Sequence, residues 1–305
     1  SVAPWRTSSA ALPPAAFIPA NGCVTLGTDF LPVEPRFNLD EDNVSWRVAL
    51  SYDVSDDVLI YATTSRGYKA GNSITVAGSS QTQYRPVTQE ELTAYEAGVK
   101  ATLFNRSMQV NLSAFYYDYQ DKQARSKILD PVFGALQALV NIPESHSQGA
   151  ELEIQWLPAT GLTVNTGVAY LDTEIDEFVG FDALGARRDF VGKPFSFAPE
   201  WQNNIDIDYE WPIGNGRSGF VGASAAYRSD SSADFDSDPL FAIDAYTLVD
   251  GRVGIRTDDG KWKFSVWGKN LTDEYYWQSV IRIQDSVVRV AGMPRTYGVS
   301  LGVEF

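Results

Sequence analysis

The sequence predicts an all-β fold: an antiparallel up-and-down transmembrane β-barrel, present here as about eleven strands, half of the roughly 22 found in the largest plugged barrels. Three observations carry this expectation. Runs of about ten residues alternate apolar and polar side chains, the period of a strand with two unlike faces. Short turns alternate strictly with much longer loops, the connection pattern of membrane barrels with short periplasmic turns and long outer loops. The polar face of the runs carries Glu96 and Lys100, Glu151 and Glu153, and Asp206, Asp208 and Glu210. In the dry core of a soluble sandwich such charges are costly unless each is paired, whereas a wide watery lumen removes that cost.

Residues 1–40 hold Pro4, Pro13, Pro14, Pro19, Pro32 and Pro35. Proline removes ladder donors, so this segment reads as an irregular outer loop, and residues 41–305 read as the barrel portion. Residues 43–54 alternate Val44, Trp46, Val48, Leu50, Tyr52 and Val54 against polar neighbours. A turn at Ser55-Asp56-Asp57 leads to a strand over 58–68, and a polar loop over 69–87 follows. Residues 92–104 and 108–120 make the next hairpin about Asn105-Arg106-Ser107, followed by a long loop over 121–145. Residues 148–157 and 162–173 pair across Pro158 to Gly161, followed by a loop over 174–199. Residues 201–211 and 219–228 pair across Gly214-Asn215-Gly216, which is turn chemistry and not a phosphate cradle. An acidic loop covers 229–243. Residues 245–256 and 261–271 then pair across Asp258-Asp259-Gly260, and a fifth loop precedes a last strand over 297–305. On this reading Trp46, Leu152, Ile154, Ile205, Ile207, Val299, Leu301 and Phe305 face lipid.

Composition fits that picture. The 305 residues are 44% hydrophobic, with 15 Tyr, 16 Phe and 8 Trp, and aromatic rings with polar tips suit membrane interfaces. A net charge of -15 argues against nucleic acid as a partner, because phosphate backbones call for clustered Lys and Arg. Cys23 is the only cysteine, which excludes an internal disulfide and a multi-cysteine metal site. No run is long and apolar enough for a spanning helix, which leaves spanning strands untouched.

Three stretches resemble one family. Asn270-Leu271-Thr272-Asp273-Glu274-Tyr275-Tyr276 after a strand, and Pro294-Arg295-Thr296-Tyr297-Gly298 before a terminal Phe305, are similar to the end of TonB-dependent outer-membrane receptors. The run from Ile60 to Gly71, with Ser65-Arg66-Gly67-Tyr68-Lys69, resembles an internal strand leading to an outer loop of that family. The family signature residues are thus Asn270, Leu271, Thr272, Asp273, Tyr276 and Phe305. The resemblance implies location in the bacterial cell outer membrane, contact with its lipid, and import of a bulky nutrient, most often a ferric siderophore. It also implies coupling to TonB through an amino-terminal region and plug that this chain lacks, so a fragment is expected. It further implies that the terminal aromatic, Phe305, is read by the assembly machinery.

Arg66, Tyr68, Lys69, Arg282 and Arg289 are the expected ligand-binding residues, since Arg and Tyr on a lumen rim suit an anionic ferric chelate. Lipopolysaccharide phosphates, or the chain's own acids, are the competing partners for these cations. No catalytic constellation, cofactor site or metal site is read. His146, the only histidine, reads as a solvated loop residue, and Asp230 to Asp238 as a solvated loop without a recognised calcium pattern. A passive porin or adhesive barrel and an outer-membrane hydrolase remain the alternatives to transport.

Overall fold

The computed structural model describes residues 25–27, 31–73, 80–130, 134–182, 185–283 and 286–304. Cys23 and Phe305 lie outside the described residues. The strands are β1 (Trp46–Ser55), β2 (Val58–Lys69), β3 (Glu90–Leu103), β4 (Met108–Asp130), β5 (Gly134–Ala159), β6 (Leu162–Glu177), β7 (Val179–Phe181), β8 (Arg187–Asp189), β9 (Trp201–Pro212), β10 (Arg217–Arg228), β11 (Ser231–Ser232), β12 (Ala242–Ile243), β13 (Tyr246–Thr257), β14 (Trp262–Lys269), β15 (Trp277–Ile283), β16 (Ser286–Ala291) and β17 (Thr296–Val303). One 13-stranded sheet follows the path β1-β2-β3-β4-β5-β6-β9-β10-β13-β14-β17, eleven strands in an antiparallel meander, with β7 and β8 hanging off it. The sheet is open, a partial barrel with β1 at one edge and β17 at the other.

Register separates the two faces. One rung runs Val58, Ala101, Val110, Ile154, Thr166, Ile205, Ala225 and Val249 across eight strands. The neighbouring rung, one residue along each strand, runs Thr102, Gln109, Gln155, Asn165, Asp206, Ser224 and Asp250. The first is almost wholly apolar and the second wholly polar, as period-2 geometry requires when one face meets oil and the other water. Trp46, Leu152, Ile154, Ile205, Ile207, Val299 and Leu301 all fall on the apolar face by register. No second sheet covers that face: Leu50 is 73%, Val299 70% and Leu301 66% exposed. Water would not tolerate so wide an uncovered apolar sheet.

The polar face pairs part of its charge across strands. Arg252 of β13 bridges Asp206 and Asp208 of β9, and Arg256 reaches Glu210 at 2.8 Å. Gly222 lies between them on β10, where a Cβ would collide with Asp208 and Arg252.

The loops depart from expectation. Residues 121–145 are not a loop. β4 has 23 residues and β5 has 26, paired from Met108↔Trp156 to Asp130↔Gly134. A tilted strand needs only about 10 residues to cross a bilayer, so this hairpin continues well beyond the apolar belt. The loop expected over 174–199 likewise holds the end of β6 and the β7–β8 hairpin, and the fifth holds the β15–β16 hairpin. The buried apolar core sits here, at the long-loop end. Ile142, Ile175, Phe178, Phe190 and Phe235 form one cluster, and Phe241, Ile243 and Val280 form another. The segment before β1 also belongs to this end: Gln89 and Gly71 backbone N–H groups donate to the Glu41 carboxylate at 2.6 and 2.8 Å.

A charge should discriminate the faces. Ile207→Lys on the apolar face is expected to cost about 2–4 kcal/mol of unfolding free energy in micelles or vesicles, and Ser224→Lys on the polar face close to nothing. Equal costs in a urea titration would contradict the assignment of faces.

Candidate functional site: a cationic cavity at the long-loop end

The cavity arises because β4 leaves the belt with a bend. Asp121 takes a left-handed φ of 52°, and the strand resumes pairing at Lys122↔Ile142. Beyond the bend Gln123 anchors it: its backbone N–H donates to Glu90 at 2.7 Å, and its side-chain amide donates to the carbonyls of Ala70 and Thr88 at 2.8 and 3.0 Å. Asn141, near the matching point of β5, donates to the Asp121 carbonyl at 2.6 Å. Lys122, Arg125 and Lys127 are thereby held along one short length of a braced strand.

Five other segments complete the walls, among them β5 with Gln137 and Ile142 and β7 with Phe181. Phe195 and Phe197 come from the β8–β9 connection, held by bonds from Phe195 N–H to Thr173 Oγ1 at 2.9 Å and from Phe197 N–H to the Ser232 carbonyl at 2.7 Å. Asp234, Phe235 and Phe241 come from the β10–β13 connection, closed by Ala233 N–H donating to the Phe241 carbonyl at 2.9 Å. Ser279 to Arg282 come from β15. Together they enclose about 630 Å³, within the size range of small-molecule sites.

Four cations line this space, Lys122, Arg125, Lys127 and Arg282, against one carboxylate, Asp234. Lys122 Nζ sits 3.7 Å from the Tyr119 ring centroid and 4.8 Å from that of Phe195. Burial pulls its pKa below the ordinary lysine value, against the pull of Glu90 and with the push of Lys69. Burial lowers Lys127 in the same way, with Asp234 opposing and Arg282 adding. Burial raises Asp234, with Phe235 and Asp236 N–H groups opposing and the charges of Asp236 and Asp182 adding. In all three groups burial acts against the charged form.

The expected ligand residues scatter. Arg282 lines the cavity. Lys69 is on the polar face 3.9 Å from Glu90, near Lys122. Arg289 donates to the Leu240 carbonyl at 3.1 Å and lies over Trp277, where it buttresses the wall. Arg66 and Tyr68 are not on the lumen rim. Register puts Arg66 opposite Trp46 and Thr93 and Tyr68 opposite Glu91, on the apolar face's side of the sheet, and Arg66 pairs with Glu91 at 3.1 Å. Sequence reasoning missed Lys122, Arg125 and Lys127, although three cations within six residues of an acid-rich chain were a visible signal.

His146 is no loop residue. It sits inside β5, its Nδ1 2.8 Å from Asp176, stacked on Tyr116. In the acidic stretch, Asp236 lies 3.9 Å from Arg188, Asp238 caps a 3-10 turn at Leu240, and Asp234 faces the cavity. Among the described residues no three His, Cys, Asp or Glu side chains converge as metal ligands.

The motif over 270–276 is architectural. Asn270, buried and at a left-handed φ of 51°, donates to the carbonyls of Glu274 and Met293 and accepts from Glu274 N–H at 2.8 Å. Leu271 N–H returns to the Val249 carbonyl. Asp273 lies 3.4 Å from Arg295, and Tyr276 stacks on Tyr246 with ring centroids 4.4 Å apart.

A family profile described as TonB dependent receptor-like, beta-barrel, matches residues 23–271. The metal-pseudopaline receptor CntO of Pseudomonas aeruginosa is 26% identical over 261 residues, 85% of this chain and 33% of that protein. The pesticin receptor of Yersinia pestis is 24% identical over 270 residues, 87% of this chain and 37% of that protein. The chain therefore spans about a third of these relatives' length. Among solved structures, the ferric yersiniabactin uptake receptor FyuA from Yersinia pestis superposes with a TM-score of 0.68 at 20% identity, covering 85% of this chain and 37% of that one. The siderophore receptor PiuA from Acinetobacter baumannii superposes at 0.64 and 16% identity, covering 84% and 35%.

Asn270→Ala leaves buried carbonyls unpaired at a strained φ, and should cost about 2–4 kcal/mol of stability. Unfolding in urea followed by tryptophan fluorescence measures it; a cost under about 1 kcal/mol would contradict the bracing role.

Proposed function

This chain belongs to the TonB-dependent receptor β-barrel family, and from that premise we propose that it is part of the wall of an outer-membrane transporter. The transporter takes up a scarce, bulky nutrient of the metal-chelate kind, a ferric siderophore or close analogue, with energy supplied through TonB. Its relatives in sequence and in structure are transport receptors and not enzymes. The observation that carries the reading is one of placement. The cation-lined cavity opens at the long-loop end of a sheet whose other surface is an apolar belt, and the polar face continues from it toward the short turns. A ligand caught at that end would meet a polar wall in which Arg252 and Arg256 are already paired with acids of β9. The open edges at β1 and β17 support a larger barrel in which further strands complete the ladder, because lipid satisfies no backbone donor or acceptor. No observation favours a passive pore over this reading, and His146, tied to Asp176 within β5, offers no support for a hydrolase.

Uptake of radioactive iron by cells with and without the gene tests the proposal. Under iron limitation the deletion should lose uptake of at least one iron chelate, and depletion of TonB should produce the same loss. Uptake that needs this gene but persists without TonB would identify a passive pore instead.

A further inference from the structure

We propose that the outer edge of β16 is the docking line for a strand of the same receptor's barrel, one that pairs with β17 inside the belt and runs on past it along the β15–β16 hairpin. The proposal rests on the larger barrel of the transport reading and extends that barrel's ladder above the bilayer.

The β15–β16 hairpin is the upward continuation of the β14–β17 pair. β14 and β17 stay in register to Lys269↔Thr296. The arms remain together through the turn, where Gly292 N–H donates to the Tyr276 carbonyl at 2.9 Å and Asn270 Nδ2 donates to the Met293 carbonyl at 3.1 Å. β15 and β16 then pair from Trp277↔Ala291 to Ile283↔Ser286. β16 therefore stands above β17, on the side of the sheet that ends in an open edge. The other side of the hairpin is taken, since β15 lies against β12.

The two faces of the hairpin differ in cover. Val280 and Arg282 share one face with their register partners Arg289 and Val287, and that face packs on Phe241 and Ile243 and lines the cavity. On the opposite face Ile281 pairs with Val288, Val290 follows, and all three are exposed. Tyr275 and Met293, in the arms below, are exposed as well. This surface stands beyond the turn at 270–276, above the strands that cross the bilayer, so hydrocarbon does not cover it. Apolar side chains left in water and a strand edge with unpaired backbone groups both invite a partner. An added strand answers both: its backbone closes the edge, and apolar side chains at alternate positions cover Val288 and Val290.

The fold uses this device elsewhere. The β4–β5 hairpin also rises past the belt, and β4 takes up β7 there at Lys127↔Phe181. Among the described residues no element stands in the place of β7 beside β16. The strand beyond β17 is positioned to do so. An antiparallel neighbour of β17 runs upward from the short-turn end and passes Thr296 heading along the hairpin. A second copy would have to reach β16 across the strand that closes β17, so the occupant is intramolecular.

The test uses the receptor as its own cells assemble it, in a Cys23→Ser background, with single Val288→Cys, Val290→Cys and Val191→Cys substitutions, the last at an exposed position of the β8–β9 connection. Assembly is judged by heat-modifiable gel mobility. A membrane-impermeant maleimide added to whole cells should label Val288→Cys and Val290→Cys at least about tenfold more slowly than Val191→Cys, the mark of a site that reacts only when its cover opens. The protection should persist in detergent-dispersed monomers. Hydrogen exchange over residues 286–291 of the same monomers needs no substitution: a paired edge slows every amide of β16, whereas an open edge leaves alternate amides free. Labelling as fast as at Val191→Cys, or free exchange of alternate amides, overturns the inference. Protection that vanishes on detergent dispersal overturns it too, and points to lipopolysaccharide or a second copy as the cover. Each of these outcomes leaves TonB-dependent uptake standing; the transport reading falls only if gene deletion costs no iron uptake.

Discussion

The hydrogen-bond ladder of the backbone is the constraint behind every other feature. Within a bilayer no water satisfies an N–H or a carbonyl, so each strand must give all its polar groups to its neighbours. Between its two open edges the meander from β1 to β17 does so rung by rung, with register shifts at Asp53/Ser55, Glu144/Ser145 and Trp156/Ala159 and a missing rung at Asp121. Once the ladder is fixed, period-2 alternation sends every second side chain into oil. The polar face must then hold large polar groups side by side. Glycine solves the crowding at chosen points: Trp267 lies across Gly298 and donates to Ser300 Oγ at 3.0 Å, and a Cβ at Gly298 would strike its ring. Arg252 crosses Gly222 to reach two aspartates by the same device.

Where the ladder leaves the bilayer the constraint relaxes, and the chain uses that freedom for packing. Most fully buried apolar side chains, Phe190, Ile142, Ile175 and Val280 among them, belong to the long-loop end. The extended β4–β5 hairpin acts as a mast to which the β2–β3 connection is tied, by Gln123 to Ala70 and Thr88, by Asn141 to Thr88 and by the Thr82–Asp130 bond. A binding cavity can therefore form from loops without those loops being loose.

How far the sequence could be read follows from the same physics. Strand limits within the belt were legible almost to the residue, since one face wet and one face oily imposes strict alternation. Residues 121–145 were not, because alternation fails there for three identifiable reasons. Asp121 breaks the backbone sense, Pro143 interrupts the donor pattern, and Ala138 and Ile142 are buried under protein. The misplacement of Arg66 and Tyr68 had a signal that went unused: they share parity with Ile60, Ala62 and Thr64, and so had to share a face. The cavity itself was illegible for a different reason. Its walls come from β4, β5, β7, the β8–β9 and β10–β13 connections and β15, and no local pattern says that they converge.

An acid-rich protein with a cationic cavity raises a question of range. At physiological salt the screening length is about 8 Å, so exposed acids on the loops repel an approaching anion only weakly. Inside the cavity burial lowers Lys122 and Lys127 and raises Asp234, each shift disfavouring the charged form. A charge inside the cavity therefore acts on a neighbour at short range, while surface charge acts on the rate at which an ion arrives. The polar wall below pairs part of its charge internally, Arg252 with Asp206 and Asp208, and Arg256 with Glu210. Cavity and wall therefore both keep cations within reach of acids: Lys122 feels Glu90 and Lys127 feels Asp234 at the long-loop end, and Arg252 holds two aspartates within the belt.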